Sequence, residues 1–291
     1  MVVQHNLTAM NSQRMLGITM DTQAKSSEKL SSGYKINRAA DDAAGLAISE
    51  KMRRQIRGLT QASLNAEDGI SCVQTAEGAL HEVHDMLQRM NELAVKGETG
   101  TLATADRSYI AMEVQQLMSE IDRVQSTTTF NEKNLLDGTF TKVGLQVGAE
   151  TKQHITISIT KMSVSKIGTK ELFAKVSMFY STSIKASKVN TYGKEFNAST
   201  FGHLNTFVKS ALQTVSTQRS QLGAVQNRLE HTINNLDNVV ENTTAAESQI
   251  RDTDMAAEMV KYSNNNILAQ AGQAMLAQAN QANQGVLSIL G

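Results

Sequence analysis

Hydrophobic positions between residues 59 and 97 recur in two rows, and within each row they are seven residues apart. The first row is Leu59, Ala66, Val73, Leu80, Leu87 and Ala94, and the second begins three residues later with Ala62, Gly69, Ala76, Val83, Met90 and Gly97. Both rows form a single seam, because residues three and four apart lie on one side of an α-helix. The pattern predicts a long coiled-coil helix that ends in the glycine-containing segment 96–100.

Two more segments carry the same periodicity. In the shorter segment the apolar residues are Ile110, Val114, Leu117, Ile121 and Val124. In the longer one the first row is Val208, Val215, Leu222, Leu229, Leu236, Thr243 and Ile250, and the second is Leu204, Ala211, Gln218, Val225, Thr232, Val239 and Ala246. The pattern breaks at residues 251–254, where Asp252 or Thr253 is a suitable N-cap for one more helix.

The middle of the chain has a different character. Residues 154–159 alternate between polar and apolar side chains, which is typical of a half-buried strand. We expect a β-hairpin at about 139–160, followed by a surface excursion at 161–200 that is rich in Lys, Ser and Thr. The predicted fold is mainly α: an elongated antiparallel helical bundle or coiled coil, with a β-hairpin region in the middle of the chain.

This reading divides the chain into five segments. Residues 1–42 form an N-terminal helix and linker, and 43–138 form an N-terminal helical rod. Residues 139–203 contain the hairpin and a short outward region. Residues 204–251 return as a C-terminal helical rod, and 252–291 form the last helix. Long helices are permitted throughout because the 291 residues include no Pro, which breaks helix interiors.

Charge is distributed unevenly, although 28 basic side chains balance 28 acidic ones. Lys261 is the last charged side chain, and before Arg14 only His5 is ionisable among the side chains. Soluble surfaces usually mix charges of both signs, so uncharged amphipathic ends are unexpected on a monomer. Burial in an assembly explains them, because amides and hydroxyls cost less to bury than ions. Disordered tails are the alternative, and both hold if the ends become helical only on assembly.

Several classes of function are disfavoured. A net charge of zero argues against electrostatic binding to nucleic acid, and no run of residues is apolar enough for membrane insertion. The N-terminus lacks the features of a cleaved signal peptide. His81 and His84 are one residue too close for the H-E-x-x-H metal pattern, and Cys72 has no cationic neighbour in sequence. No cofactor motif is present, so we predict that the protein is not an enzyme.

Four strings in the sequence resemble those of bacterial flagellins. They are LSSGYKINRAADDAAGLAI at 30–48, QRSQLGAVQNRL at 218–229, SQIRDTDMA at 248–256 and MLAQANQA at 275–282. The resemblance implies a structural subunit that self-assembles into the extracellular flagellar filament. It also implies export through the flagellar type III apparatus without a cleaved signal, and contact with an export chaperone, a cap and junction proteins. A hook–filament junction protein is the alternative, because such proteins share the terminal helices.

In the family the terminal helices form the inner tubes of the filament. The residues that we assign to this packing are Val3, Leu7, Met10, Met259, Leu268, Met275, Ala279, Ala282 and Val286. The family pattern also has a glycine where this chain has Glu132, and a glutamate disfavours a positive φ. We therefore expect a different turn at residue 132.

Residues 88–95, QRMNELAV, resemble the string through which the vertebrate innate receptor Toll-like receptor 5 recognises flagellins. The resemblance implies that Arg89 and Leu93, with Glu113 on the next helix, are the principal receptor contacts. These residues lie outside the seam, and an apolar side chain outside the seam needs a partner of its own. Packing between subunits is therefore the competing interpretation, and it is the default one.

Overall fold

The computed structural model describes residues 6–168 and 197–290, with side chains up to residue 281. Its helices are α1 (Leu7–Ser32), α2 (Ala43–Glu98), α3 (Thr104–Thr127), α4 (Val164–Ile167), α5 (Ala198–Arg251) and α6 (Met255–Leu290). Its strands are β1 (Thr129–Phe130), β2 (Lys133–Asn134), β3 (Val143–Gln146) and β4 (His154–Ile157). The mainly α fold with a β-hairpin region is confirmed. Much of the predicted surface excursion at 161–200 lies outside the described residues.

The chain forms two compact units. The first consists of Met1–Arg57 together with Val239–Gly291, and the second of Gly58–Asn238. The first unit therefore joins the two ends of the sequence, whereas the second is one continuous stretch between them. The division into five segments stays a prediction.

In the second unit α2 packs against α5, and all members of the two rows in 59–97 are buried. The facing buried residues of α5 are Leu204, Val208, Ala211, Val215, Gln218, Leu222, Leu229 and Leu236. The helices run antiparallel, because Glu77 pairs with Arg219 at 2.9 Å and Ser63 contacts Asp237 at 3.3 Å. The heptad rows are confirmed for 59–97 and up to Leu236 on α5, where only Val225 and Thr232 are half-buried. The row members after Leu236 are half-buried as well: they are Val239, Thr243, Ala246 and Ile250.

Helix α3 covers the same core with a broader face than the sequence suggested. Ile110, Val114 and Ile121 are buried as predicted, whereas Leu117 and Val124 are half-buried. Ala111 and Met118 are fully buried as well. The face widens because the core cluster that α3 joins contains side chains from α2, from α5 and from the β region.

After α3 the chain turns sharply through β1 and β2. These strands pair antiparallel, and Phe130 faces Lys133 across a two-residue loop. The loop residues Asn131 and Glu132 have φ of 45° and 63°, the combination that a type I′ turn requires. The expectation of a different turn at Glu132 was wrong: the hairpin register imposes a positive φ on this side chain.

Replacing Glu132 with glycine should stabilise the protein. A side chain in the left-handed region costs about 1–2 kcal/mol through its Cβ, and glycine removes that cost. Chemical denaturation followed by circular dichroism should show an increase of about 1 kcal/mol in the free energy of unfolding. Glu132→Ala is the matched control: it keeps the Cβ and should give no such gain.

Strands β3 and β4 form the predicted hairpin, with Val143 opposite Ile157 and Gln146 opposite His154. Ile155 and Ile157 are buried while His154 and Thr156 are exposed, which confirms the alternation. The chain after β4 is anchored on α5 by Gln218. Its side chain accepts hydrogen bonds from the backbone and hydroxyl of Thr160 and donates one to the carbonyl of Ser158. A buried polar residue in the seam is thereby satisfied.

In the first unit α1 and α6 pair antiparallel. Asn6 donates to the carbonyl of Ala279 at 3.1 Å, and Ser26 donates to Glu258 at 2.6 Å at the other end of the pair. The predicted antiparallel arrangement of the helices is therefore confirmed for this pair. Both helices are fully formed over the described residues.

The connections that precede α2 and α6 are joined to each other. The amide of Lys35 donates to the carbonyl of Arg251, and that of Thr253 donates to the carbonyl of Gly33. The guanidinium of Arg251 lies 4.7 Å from the centre of the Tyr34 ring and pairs with Glu50 at 3.0 Å. These contacts fix where α1 and α6 begin to pair.

Helix α6 begins at a different cap from the one predicted. The side chain of Asp254 accepts the amides of Ala256 and Ala257, at 3.0 and 3.1 Å. The prediction of Asp252 or Thr253 as the N-cap was therefore wrong. Asp252 accepts a hydrogen bond from the Ser248 hydroxyl instead. Asp252 and Thr253 both belong to the connection with residues 33–35.

Candidate assembly surface and receptor-contact residues

The surface between α1 and α6 consists mostly of small and polar side chains. The more buried positions of the pair recur at alternating spacings of three and four: they are Ala9, Ser12, Leu16, Thr19, Gln23, Ser26 and Leu30 on α1, and Glu258, Tyr262, Asn265, Ala269, Gly272, Leu276 and Ala279 on α6. Gly272 permits close approach, since a Cβ there would lie 3.2 Å from the Leu16 side chain. The two helices therefore bury little large apolar surface against each other.

Most of the large apolar side chains of both helices instead face away from the pair. This outward apolar set consists of Leu7, Met10, Met15, Ile18 and Met20 on α1, and Met255, Met259, Val260, Ile267, Leu268 and Met275 on α6. Their exposure ranges from 49% at Met255 to 66% at Leu7. Large exposed apolar surfaces mark interaction sites, because water disfavours them. On α6 the described part of this surface is also without charge beyond Lys261.

The residues predicted to pack in the filament core fall on different faces. Leu7, Met10, Met259, Leu268 and Met275 belong to the outward apolar set. Ala279 lies on the inner side, where its carbonyl accepts from Asn6. Val3 and the side chains of Ala282 and Val286 lie outside the described residues. The heptad pattern alone did not separate the inner row of α6 from the outward one.

A carboxylate fixes the register of α1 against α6. Glu258 is 7% exposed and accepts from the hydroxyl of Ser26, while Lys261 lies 3.4 Å from its other oxygen. The hydrogen bond from Ser26 holds the pKa of Glu258 below its usual value, with Lys261 and Lys29 adding to the effect. The heptad pattern did not predict this contact. A charged residue at a heptad position of an otherwise apolar and polar row is the signal that indicates it.

Acid should therefore loosen the pairing of α1 with α6. The folded-state pKa of Glu258 lies below the ordinary value of 4.5, so its stabilising contribution is present above that pH and is lost as the pH falls through the folded-state pKa. Hydrogen exchange should show faster exchange of the α1 amides on acidification. In Glu258→Gln this part of the pH dependence should be absent; an unchanged acid response would contradict the assignment.

Arg89, Leu93 and Glu113 come together in one open groove between α2 and α3. The guanidinium of Arg89 pairs with Glu113 across the helices and with Glu92 on its own helix, each at 2.9 Å. Both carboxylates raise the pKa of Arg89 through hydrogen bonds. The exposed ring of Tyr109 lines the same groove. The sequence had indicated the three residues but not this tyrosine.

Leu93 itself is not available on the surface. It is 3% exposed and belongs to the core cluster that also contains Met90, Ala94 and Ile110. Leu93 was expected to need a packing partner outside the seam of its own helix, and α3 of the same chain provides that partner. Packing between subunits is therefore not required to explain it.

The other candidate groups have structural surroundings. His84 is within 2.9 Å of Gln88, and His81 lies 3.9 Å from Asp85 on the exposed side of α2. Cys72 is buried, and desolvation raises the pKa of its thiol. Among the described residues no three metal-binding side chains converge. Within the same part of the chain, no helix combines the length and the apolar character that crossing a membrane needs.

Comparison with known proteins agrees with the helical organisation. Residues 3–141 match the bacterial flagellin N-terminal helical region, and 206–290 match the bacterial flagellin C-terminal helical region. The flagellin of Halalkalibacterium halodurans is 51% identical over 290 residues, which cover all of both chains. The chain belongs to the bacterial flagellin family. The Bacillus subtilis flagellin, 48% identical over 303 residues, also covers both chains completely.

Among solved structures, the crystal structure of Bacillus cereus flagellin is similar to 60% of this chain and 88% of that one, with 24% identity and a TM-score of 0.46.

Flagellins are structural proteins rather than enzymes. This flagellin is accordingly a subunit that polymerises with copies of itself into the flagellar filament, outside the cell.

Proposed function

We propose that this flagellin polymerises through the outward apolar set of α1 and α6. The observation that carries the proposal is the inverted distribution of side chains on this pair of helices. Mostly small and polar residues lie between the helices, and most of the large apolar ones lie outside. A helix pair of this kind leaves its main hydrophobic surface unsatisfied, and a second copy of the chain presents the same surface in return.

The energetic scale is sufficient for polymerisation. Burying a fully exposed Leu, Ile or Met side chain contributes about 1.5–3 kcal/mol. The members of the outward apolar set are 49–66% exposed, so each gains roughly half of that amount, and several are present per subunit. Their combined burial offsets an association cost of about 4–15 kcal/mol. Neighbouring subunits also avoid the desolvation of ions, because the described residues from 262 to 281 include no charged side chain.

Deleting residues 262–291 tests the role of α6. The deletion removes Ile267, Leu268 and Met275 from the outward set and leaves α1 without most of its partner. We expect a folded second unit, seen by circular dichroism, and no filaments by electron microscopy, even when intact filament fragments are added as seeds. Normal filament growth by the truncated chain would contradict the proposal.

Export and accessory partners are part of the same proposal, and they are supported by the flagellin strings in the sequence. The subunit is held by an export chaperone, travels unfolded through the flagellar type III apparatus with its N-terminus uncleaved, and is added at the filament tip under a cap. Junction proteins are further partners. N-terminal sequencing of the secreted subunit tests the export route. Electron microscopy of the purified protein separates a filament subunit, which grows long filaments, from a hook–filament junction protein, which does not.

A second proposed activity is recognition by Toll-like receptor 5, through Arg89, Glu113 and the surface around Leu93. It is supported by the cross-helix pair of Arg89 with Glu113 beside the exposed ring of Tyr109. Because Leu93 is buried, we propose that it shapes the groove beneath the contact surface. Replacing Leu93 would disturb the core, so a loss of receptor activation in such a variant would not show that Leu93 contacts the receptor.

Arg89→Ala and Glu113→Ala test the receptor site in a cell reporter assay. Exposed ion pairs contribute little to stability, so both variants should fold normally. Receptor activation should fall in both. Arg123→Ala is the matched control: Arg123 is an exposed arginine that pairs with Glu120 on α3. Unchanged activation by both test variants, or an equal loss in the control, would contradict the assignment.

A further inference from the structure

The methionines whose side chains are described differ widely in exposure, and Met52, Met86 and Met112 are half-buried. Of the methionines whose side chains are described, the exposed ones all belong to the outward apolar set: Met10, Met15, Met20, Met255, Met259 and Met275. Their exposures lie between 49% and 62%. In the second unit, Met90, Met118 and Met162 are fully buried. Exposed thioethers are therefore concentrated where we propose that subunits meet.

We propose that these six methionines form an oxidation-sensitive site that controls whether a subunit can polymerise. The inference rests on the proposed polymerisation surface and adds its chemistry. The oxidant is a peroxide, with hydrogen peroxide as the simplest member. The methionine sulfur donates an electron pair to one peroxide oxygen, the O–O bond breaks, and methionine sulfoxide and water form. The sulfur is oxidised by two electrons and the peroxide is reduced by two.

The accessibility of the sulfur atoms determines which methionines react. Exposed thioethers are oxidised more readily than buried ones, because the oxidant must reach the sulfur. The single cysteine of the chain, Cys72, is buried, and desolvation raises the pKa of its thiol and keeps it protonated. It therefore competes poorly for the oxidant. On α1 and α6 the thioethers are the exposed oxidisable sulfurs.

Oxidation changes the property on which assembly depends. A methionine side chain is apolar and adaptable, whereas its sulfoxide is polar. A sulfoxide oxygen that becomes buried between subunits without a donor is penalised like any other buried polar group. One such group raises the critical concentration for polymerisation about tenfold, and several raise it further. Once a subunit is assembled, its neighbours exclude the oxidant, so filaments are protected while free subunits are not.

The experiment treats monomers and finished filaments with the same concentration of hydrogen peroxide and locates sulfoxides by peptide mass spectrometry. In monomers the six methionines should be oxidised at least tenfold faster than Met90, Met118 and Met162. The oxidised monomers should then fail to extend filament seeds. Treatment with methionine sulfoxide reductases of both stereospecificities should restore extension. In filaments the six should react at least tenfold more slowly than in monomers.

A variant with all six replaced by leucine is the matched control. Leucine has a similar volume and is not oxidised to a sulfoxide, so this variant should polymerise and continue to do so after peroxide treatment. If oxidised wild-type subunits extend seeds normally, the inference is wrong although the polymerisation surface stands. If the six react equally fast in monomers and filaments, the proposed surface itself is wrong. If the leucine variant loses extension after peroxide as the wild type does, the relevant oxidation lies elsewhere.

Discussion

Replacing Leu268 with glutamate is expected to abolish filament growth while leaving the monomer folded. Leu268 is 56% exposed on α6 and is not among the buried core residues of the described chain, so the monomer should tolerate a charge there. In the polymer the same carboxylate would be buried without a cationic partner from the described residues 262–281. Such burial costs several kcal/mol, so the critical concentration should rise more than about a hundredfold.

Two measurements separate the effect on assembly from an effect on folding. Circular dichroism and thermal unfolding of the monomer should match wild type, while sedimentation and electron microscopy should show no polymer. Leu268→Met is the matched control, because it keeps an uncharged side chain of similar volume and should polymerise. Filaments of Leu268→Glu at wild-type yield would show that α6 meets its neighbours through another face.

The sequence predicted the second unit well because one strong signal determines it. The heptad rows of α2 and α5 are occupied by residues that have no other place to be buried, and they are buried against each other. The alternation of polar and apolar side chains at 154–159 also distinguished the β3–β4 hairpin from the helices, whose apolar residues recur at spacings of three and four. Where the apolar face of a helix is buried within its own chain, the periodicity of the sequence is sufficient to predict the packing.

The packing of the first unit was less predictable, because most of its large apolar side chains are not buried within one chain. Heptad spacing on α6 holds for two different rows: one contains Gly272 and Ala279, and the other Leu268 and Met275. Hydrophobicity alone would bury the second row, yet the structure places the first row against α1. The inner face is determined by its small residues and by the Ser26–Glu258 contact. A pattern of large apolar residues indicates neither of these features.

The candidate receptor site shows a similar limit. The resemblance brought Arg89, Leu93 and Glu113 together correctly as neighbours, but only the position of α3 shows that Leu93 is buried. A helix that contacts two partners has two buried faces, and a single heptad seam describes one of them. Leu93 belongs to the second face, beside Ile110 in the core cluster.

The longest recognisable string has a local structural reason. Within residues 30–48, Gly33 adopts φ of 77° at the end of α1, and Asp42 accepts the amide of Gly45 at the start of α2. A Cβ at Gly45 would meet the side chains of Asp42 and Ile36. Asp41 accepts the amide of Arg38 and also that of Asn37, and these hydrogen bonds lower its pKa. The string therefore specifies how one helix ends and the next begins.

Gly97→Ala is expected to destabilise the second unit by about 1–3 kcal/mol, the usual cost of inserting an atom into a packed core. A Cβ at Gly97 would meet the ring of Phe201, which is fully buried. The backbone cannot easily move away, because Arg107 donates to the carbonyl of Gly97 at 3.1 Å. Urea unfolding followed by circular dichroism measures the change in the free energy of unfolding.

Gly223→Ala is the matched control, and it should have the opposite sign. Gly223 lies within α5, and a Cβ there meets nothing within 4 Å. Alanine should therefore contribute only its better helix propensity, about 1 kcal/mol of stabilisation. The same gain applies at Gly97, so the measured loss there understates the clash. If Gly97→Ala proved as stabilising as Gly223→Ala, the close packing of α2 against Phe201 would be refuted, whereas partial rescue by Phe201→Leu would confirm that the ring is the obstacle.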